Sequence, residues 1–198
     1  MSCGEVKMKP HFVLYKSKLK KQIETLEELD LHVSYSYKTN RQVGDVLQEM
    51  CPTVDFSIHA EEEIDMIEKK EKISFFTQAE SVEELIKILK KGIRTFVVDN
   101  EIDLKRILEA SEKTGIKINL SIRMKFLEHR VGSGKYFVYG MSARKVNEII
   151  LELKNDERIG ELGVHIHRKS QNTSEWEVKE EIEDSLDEDV LKRINSVN

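Results

Sequence analysis

The sequence predicts a parallel β/α protein, a TIM-like barrel carried to about six of its eight strands with the stub of a seventh. Three observations predict it. From His32 onward, apolar runs of four to seven residues, rich in β-branched and aromatic side chains, alternate with amphipathic stretches of ten or more. Parallel neighbours need crossover helices of one hand, so a long uninterrupted series becomes either a barrel or a doubly wound open sheet. A complete barrel typically takes about 250 residues at about thirty per strand and helix pair. The 198 residues here leave about two strands and two helices lacking, and six units with a stub favour the barrel over an open six-stranded sheet.

The elements follow in order. After a polar start, residues 12–15 can make a short strand, and apolar side chains at helical spacing among charges predict a helix over 17–29. The first strand of the series, 33–37, precedes a helix over 41–50 that ends at Cys51, before Pro52. Strand and helix then repeat as 54–58 with 61–69, 73–76 with 82–91, and 95–98 with 102–113. A fifth strand, 116–122, leads through a longer loop containing Gly132 and Gly134 to a helix over 143–154. The sixth strand is 161–167, residues 175–192 form a charged helical region divisible into two short helices, and a strand begins within 193–198. Residues 1–31 therefore read as an N-terminal strand and helix leading into a partial barrel at 32–198.

Composition narrows the function classes. Hydrophobic residues make up 39% and charged residues 35%, arranged in regular blocks, which is how a globular chain buries a core. The net charge of -5 comes from 37 acidic and 32 basic side chains interleaved along helical stretches, so no nucleic-acid or membrane partner is implied. The first residues, with Glu5, Lys7 and Lys9, lack the apolar core of a signal peptide, and no run approaches the ~18 apolar residues of a membrane span. Cys3 and Cys51 suggest neither a useful bridge nor a metal site, and the chain reads as cytoplasmic.

In a parallel β/α protein, chemistry gathers at the carboxyl ends of the strands. Those ends are polar here: Lys38-Thr39-Asn40, then Asp55 and His59, Thr77-Gln78, Asp99-Asn100, Arg123, and finally His165, His167 and Ser170. Lys38 closes an apolar strand, where a desolvated mouth would lower its pKa and suit it to Schiff-base chemistry; a surface lysine that merely ends a strand is the alternative. His165 and His167 share one strand face and, with His59 or Asp99, could form a metal site. One His-x-His pair is weak evidence for that, packing or hydrogen bonding explains it as well, and no metal is expected. Gly132-Ser133-Gly134-Lys135 is not a phosphate loop, because His129 stands where the pattern needs glycine and Tyr136 follows the lysine. Trp176 is expected to anchor the helix after the sixth strand.

Tyr35-Ser36-Tyr37-Lys38-Thr39-Asn40, residues 55–61, Arg123 and His165-Ile166-His167-Arg168-Lys169-Ser170-Gln171 together resemble the barrel of the fold-type III pyridoxal-phosphate decarboxylases. These are the ornithine, diaminopimelate and arginine decarboxylases with an alanine-racemase-like barrel. Their lysine motif is a tyrosine, two small or apolar residues, the lysine, a small residue and an asparagine, and only Tyr37 departs from it here. The resemblance implies pyridoxal 5'-phosphate as cofactor, Lys38 as the Schiff-base lysine, His167 stacked on the cofactor ring and Ser170 on its phosphate, with Asp55 and Arg123 lining the site. Residues 12–15 would correspond to the strand that joins the family's separate β-domain.

Arg168-Lys169 replace an apolar residue and glycine, and Gln78-Ala79-Glu80-Ser81 stand where relatives often have a lysine. The family's glycine-rich phosphate loop, its acidic partner for the pyridine nitrogen and its C-terminal domain would all lie beyond Asn198. The expectation is thus the N-terminal barrel part of an amino-acid decarboxylase, active as a homodimer or with a complementing chain. The alternatives are a non-catalytic binding or regulatory relative and a metal-dependent barrel enzyme. An open barrel is expected to expose strand edges and apolar inner faces, and so to associate.

Overall fold

A computed structural model describes residues 12–125, 139–167 and 177–198. Residues 12–15 form no strand; all four are exposed, and the first regular element is α1 (Lys16–Glu27), which buries only Ile23. Among the described residues no strand pairs with these four, so their β-forming composition goes unused there. The barrel series then runs β1 (Ser34–Ser36), a 3-10 turn (Tyr37–Thr39), α2 (Arg41–Met50), β2 (Asp55–Ile58) and α3 (Glu61–Ile64). A second 3-10 turn (Lys70–Lys72) leads to β3 (Ile73–Phe76), α4 (Val82–Lys90), β4 (Thr95–Val98), α5 (Glu101–Thr114) and β5 (Ile118–Met124). The remaining elements are α6 (Ala143–Glu152), β6 (Ile159–Ile166), α7 (Val178–Ser185), α8 (Glu188–Leu191) and β7 (Ser196–Val197).

All seven strands join one sheet in chain order, each parallel to the next, and the sheet curls into an open half-barrel with β1 and β7 at its edges. Local chemistry sets the helix limits. Ser81 and Glu84 make a reciprocal capping box at the start of α4, and the Asn100 side chain accepts the Ile102 and Asp103 N–H groups at the start of α5. The helix predicted over 61–69 stops at Ile64: the chain tightens so that the Ile67 N–H bonds the Ile64 carbonyl at 3.2 Å, and the Lys70 ammonium takes the carbonyls of Ile64, at 2.6 Å, and Ile67.

Strand alternation divides the sheet into two unlike faces. The convex face carries Phe56, Ile58, Phe75, Phe96, Val98, Ile122 and Val164, all buried under Leu47, Leu85, Ile88, Ile107, Val146 and Ile150 of the helices. Each of these aromatic or branched side chains contributes about 1.5–3 kcal/mol on leaving water. The concave face differs from the apolar one expected. Apart from Phe76 and Val97 it is lined by Ser34, Ser36, Ser57, Ser74, Thr95 and Ser121, with Ser34 Oγ 2.9 Å from Ser57 Oγ. Hydroxyls that bond to one another or to water need no apolar cover, which is why this face can stand open. No helix among the described residues is long and apolar enough to cross a membrane.

Phe96, fully buried and edge-on to Phe75 at 6.2 Å, ties the convex face together. Phe96→Ala should cost about 3–5 kcal/mol of unfolding free energy and Ser81→Ala about 1 kcal/mol. Both are read as lowered urea midpoints with an unchanged denaturant slope; a loss under 1 kcal/mol for Phe96→Ala would contradict this packing.

Candidate active site

Because every strand runs the same way, their carboxyl ends meet at one rim, where a cavity of about 940 Å³ opens. Ser36 and Lys38 reach it from β1 and its turn, Ser57 and His59 from β2, and Phe76, Thr77 and Gln78 from β3. Asp99, Arg123, His165 and His167 reach it from the ends of β4, β5 and β6. Lys38, Arg123 and His167 thus come together as the sequence suggests. Lys38 is exposed, in contrast to the desolvated position expected for it, because the mouth is wide.

One wall is an aromatic stack. The His59 imidazole lies on Phe76 with ring centroids 4.4 Å apart and planes at 28°, and the His165 ring meets Phe76 edge-on at 5.0 Å. Gln78 Nε2 lies 3.4 Å from His59 Nδ1 and steadies the first ring. Burial, with the Lys38 and Arg123 charges, lowers the His59 pKa from 6.5 to about 4. Burial, Arg123 and the neighbouring imidazoles do the same to His165, also to about 4. Both rings are therefore neutral at pH 7. Among the described residues no three His, Cys, Asp or Glu side chains are placed to hold a metal ion.

Beside the stack, where Arg123 pairs with His165 across β5 and β6, the lining is charged. Arg123 Nη1 donates to both Asp99 carboxylate oxygens at 3.3 and 3.2 Å, and the guanidinium lies 5.3 Å from the centroid of the Tyr139 ring. Gly140 makes this possible: at φ +101 it turns the chain back against β5, where a Cβ would sit 2.8 Å from the Arg123 carbonyl oxygen. Arg123 Nε is buried without a hydrogen-bond partner among the described residues.

Asp55 does not join this site. It opens β2 at the amino end, away from the rim, where its carboxylate lies 2.6 Å from His32 Nε2 and 3.1 Å from Lys72 Nζ. Ser170 and Trp176 lie outside the described residues, as does the Gly132 to Lys135 segment; Cys51 is a free, buried thiol. Sequence reasoning missed Ser57, which shares a strand face with His59 two residues on and was legible by alternation alone. It also missed Phe76, indistinguishable from a core residue, and Tyr139, brought in by a turn that no spacing reveals.

The family described as pyridoxal-dependent decarboxylase, pyridoxal binding domain, matches residues 14–195. Among solved structures, the diaminopimelate decarboxylase from Helicobacter pylori complexed with L-lysine is 21% identical, with a TM-score of 0.65 over 86% of this chain and 46% of its own. The diaminopimelate decarboxylase from M. jannaschii in complex with L-lysine is 21% identical, with a TM-score of 0.66 over 80% of this chain and 42% of its own. The lysine/ornithine decarboxylase from Vibrio vulnificus complexed with cadaverine is 17% identical, with a TM-score of 0.68 over 92% of this chain and 50% of its own. The chain therefore spans half or less of the length of these structures, and their likeness establishes the fold. A search of curated proteins found no match.

The two neutral imidazoles give a pH dependence of stability. The unfolded chain binds protons at His59 and His165 near pH 6.5, whereas the folded chain resists them to about pH 4. Their contribution is complete above pH 6.5 and is lost as the pH falls toward 4. Urea midpoints at pH 7 and pH 5 should differ less in the His165→Gln variant than in the parent, and NMR titration of either ring should show a midpoint near 4. A midpoint near 6.5 would refute the assignment.

Proposed function

The chain belongs to the pyridoxal-dependent decarboxylase family, whose pyridoxal-binding domain spans residues 14–195, and from that premise we propose that it is the N-terminal barrel part of an amino-acid decarboxylase with Lys38 as its Schiff-base lysine. One observation carries the assignment: Lys38 is the one lysine among the described residues that lines the cavity at the strand ends.

The side chains there fit pyridoxal phosphate. An exposed amine, flat imidazoles and an arginine guanidinium in the lining suit an aldehyde, an aromatic ring and an anionic group respectively. When bound, the cofactor supplies an aldehyde carbon for an amine and a conjugated ring that takes up the electron pair released as carbon dioxide leaves an amino acid. The chain supplies the rest. Lys38 Nζ is the nucleophile and must give up a proton before it acts. His167 is the stacking ring, and Ser170 binds phosphate, as the motif implies. Neutral His59 and His165 bound the site without adding charge, while Asp99 holds Arg123 at a fixed angle for an anionic group.

The body of the barrel lies at 32–198, and residues outside this chain complete the site, from a longer polypeptide, a second protomer of a homodimer or a complementing chain. The open edges at β1 and β7 support that reading. The setting is cytoplasmic, where a free Cys51 is stable.

Mixing the purified chain with pyridoxal phosphate should produce a new visible absorption band. Lys38→Ala should remove most of it, leaving the slower contribution of exposed lysines such as Lys16, and should change the unfolding free energy by no more than about 0.5 kcal/mol, since Lys38 is exposed. A band of parental strength and rate in Lys38→Ala removes Lys38 from the role.

A further inference from the structure

We propose that Tyr37, seated in the slot left open by Gly44 and hydrogen-bonded to Asp45, is the positioning residue that aims Lys38 into the cavity. The inference rests on the reading of Lys38 as the cofactor-binding lysine. It starts from a conflict: the position before the lysine, where the motif takes a small or apolar residue, is filled by a bulky phenol.

That phenol is held on three sides. Tyr37 is 1% exposed, and its ring lies edge-on to Phe56 at 6.2 Å and 81°. Its hydroxyl donates to Asp45 Oδ1 at 2.6 Å. A Cβ on Gly44 would sit 2.5 Å from both Cδ2 and Cε2 of the ring, so the first full turn of α2 accepts this tyrosine only because glycine stands there. Burial and the Asp45 carboxylate push the phenol up to about 12, which keeps it a donor at every working pH.

Tyr37 and Lys38 share a peptide plane inside a three-residue 3-10 turn. Fixing one side chain beneath α2 therefore fixes the Cα–Cβ direction of the other, which leaves the turn toward the cavity. The far side of the turn is pinned as well: the Asn40 carbonyl accepts the Tyr35 hydroxyl at 3.2 Å, and the Asn40 side chain accepts the Val43 N–H at 3.3 Å. An exposed lysine would otherwise sample many directions, and a pre-set turn removes most of that search before any ligand arrives. Arg41 and Glu63 are the other charged groups near the phenol.

The test is timed borohydride trapping of pyridoxal phosphate on the purified chain, with the labelled lysines identified by peptide mass and exposed Lys16 as an internal reference. The parent should label Lys38 well ahead of Lys16. Tyr37→Phe, which keeps the ring, and Asp45→Ala, which alters an exposed residue, should each slow Lys38 labelling by about three- to tenfold, leaving the Lys16 rate and the folded fraction unchanged. Asp45→Asn, which keeps an acceptor, should recover most of the rate. Parent-like labelling of Lys38 in both Tyr37→Phe and Asp45→Ala overturns the positioning role alone. A parent chain that labels Lys38 no faster than Lys16 overturns the reading of Lys38 itself, and this inference with it.

Discussion

A strand in this sheet cannot slip by one residue without carrying Phe56, Phe75 or Phe96 from beneath the helices to the concave side and bringing serines under the helices in their place. That cost fixes the register of each ladder. Once the register is fixed, alternation decides which residue of each strand reaches the rim, and the cavity follows without separate instruction. Lys38, His59, Asp99, Arg123 and His165 come from five different strand ends, yet one apolar constraint on the far side of the sheet brings them together.

The rim then sorts its charges. Arg123 is paired with Asp99 and faces Tyr139, so its direction is set while its Nε stays unengaged. His59 and His165 sit beside cationic side chains and stay neutral, so these two rings add no charge next to Lys38 and Arg123. A cavity lined by an exposed ammonium and by a guanidinium held on a carboxylate offers one group for a reactive carbonyl and another for an anion.

Much of this was legible in the sequence, for reasons that differ by residue. The apolar runs at 73–76 and 95–98 and the periodic stretch at 41–50 become β3, β4 and α2 with the same limits, because local propensity and burial agree there. Residues 12–15 have strand composition but no pairing strand among the described residues, and the helix over 61–69 has helical composition but two of its carbonyls bond the Lys70 ammonium. Both depend on contacts that no local window contains. Asp55 was assigned to the site through its neighbourhood in a motif, whereas its position at the start of β2 puts it a strand's length from the rim. The direction of a parallel strand is the information that separates Asp55 from His59, and it was present in the sequence. Tyr139 was not recoverable, since Gly140 and the return against β5 bring it over Arg123.

The hydroxyl-lined concave face changes what closing such a barrel can gain. A trough of serines and threonine is already content in contact with water, so a segment laid across it recovers little hydrophobic free energy. The attraction left to any completing strand comes from the backbone groups along two short edges and from whatever bridges the rim. Contact made there would draw on directed backbone hydrogen bonds along β1 and β7 more than on apolar burial.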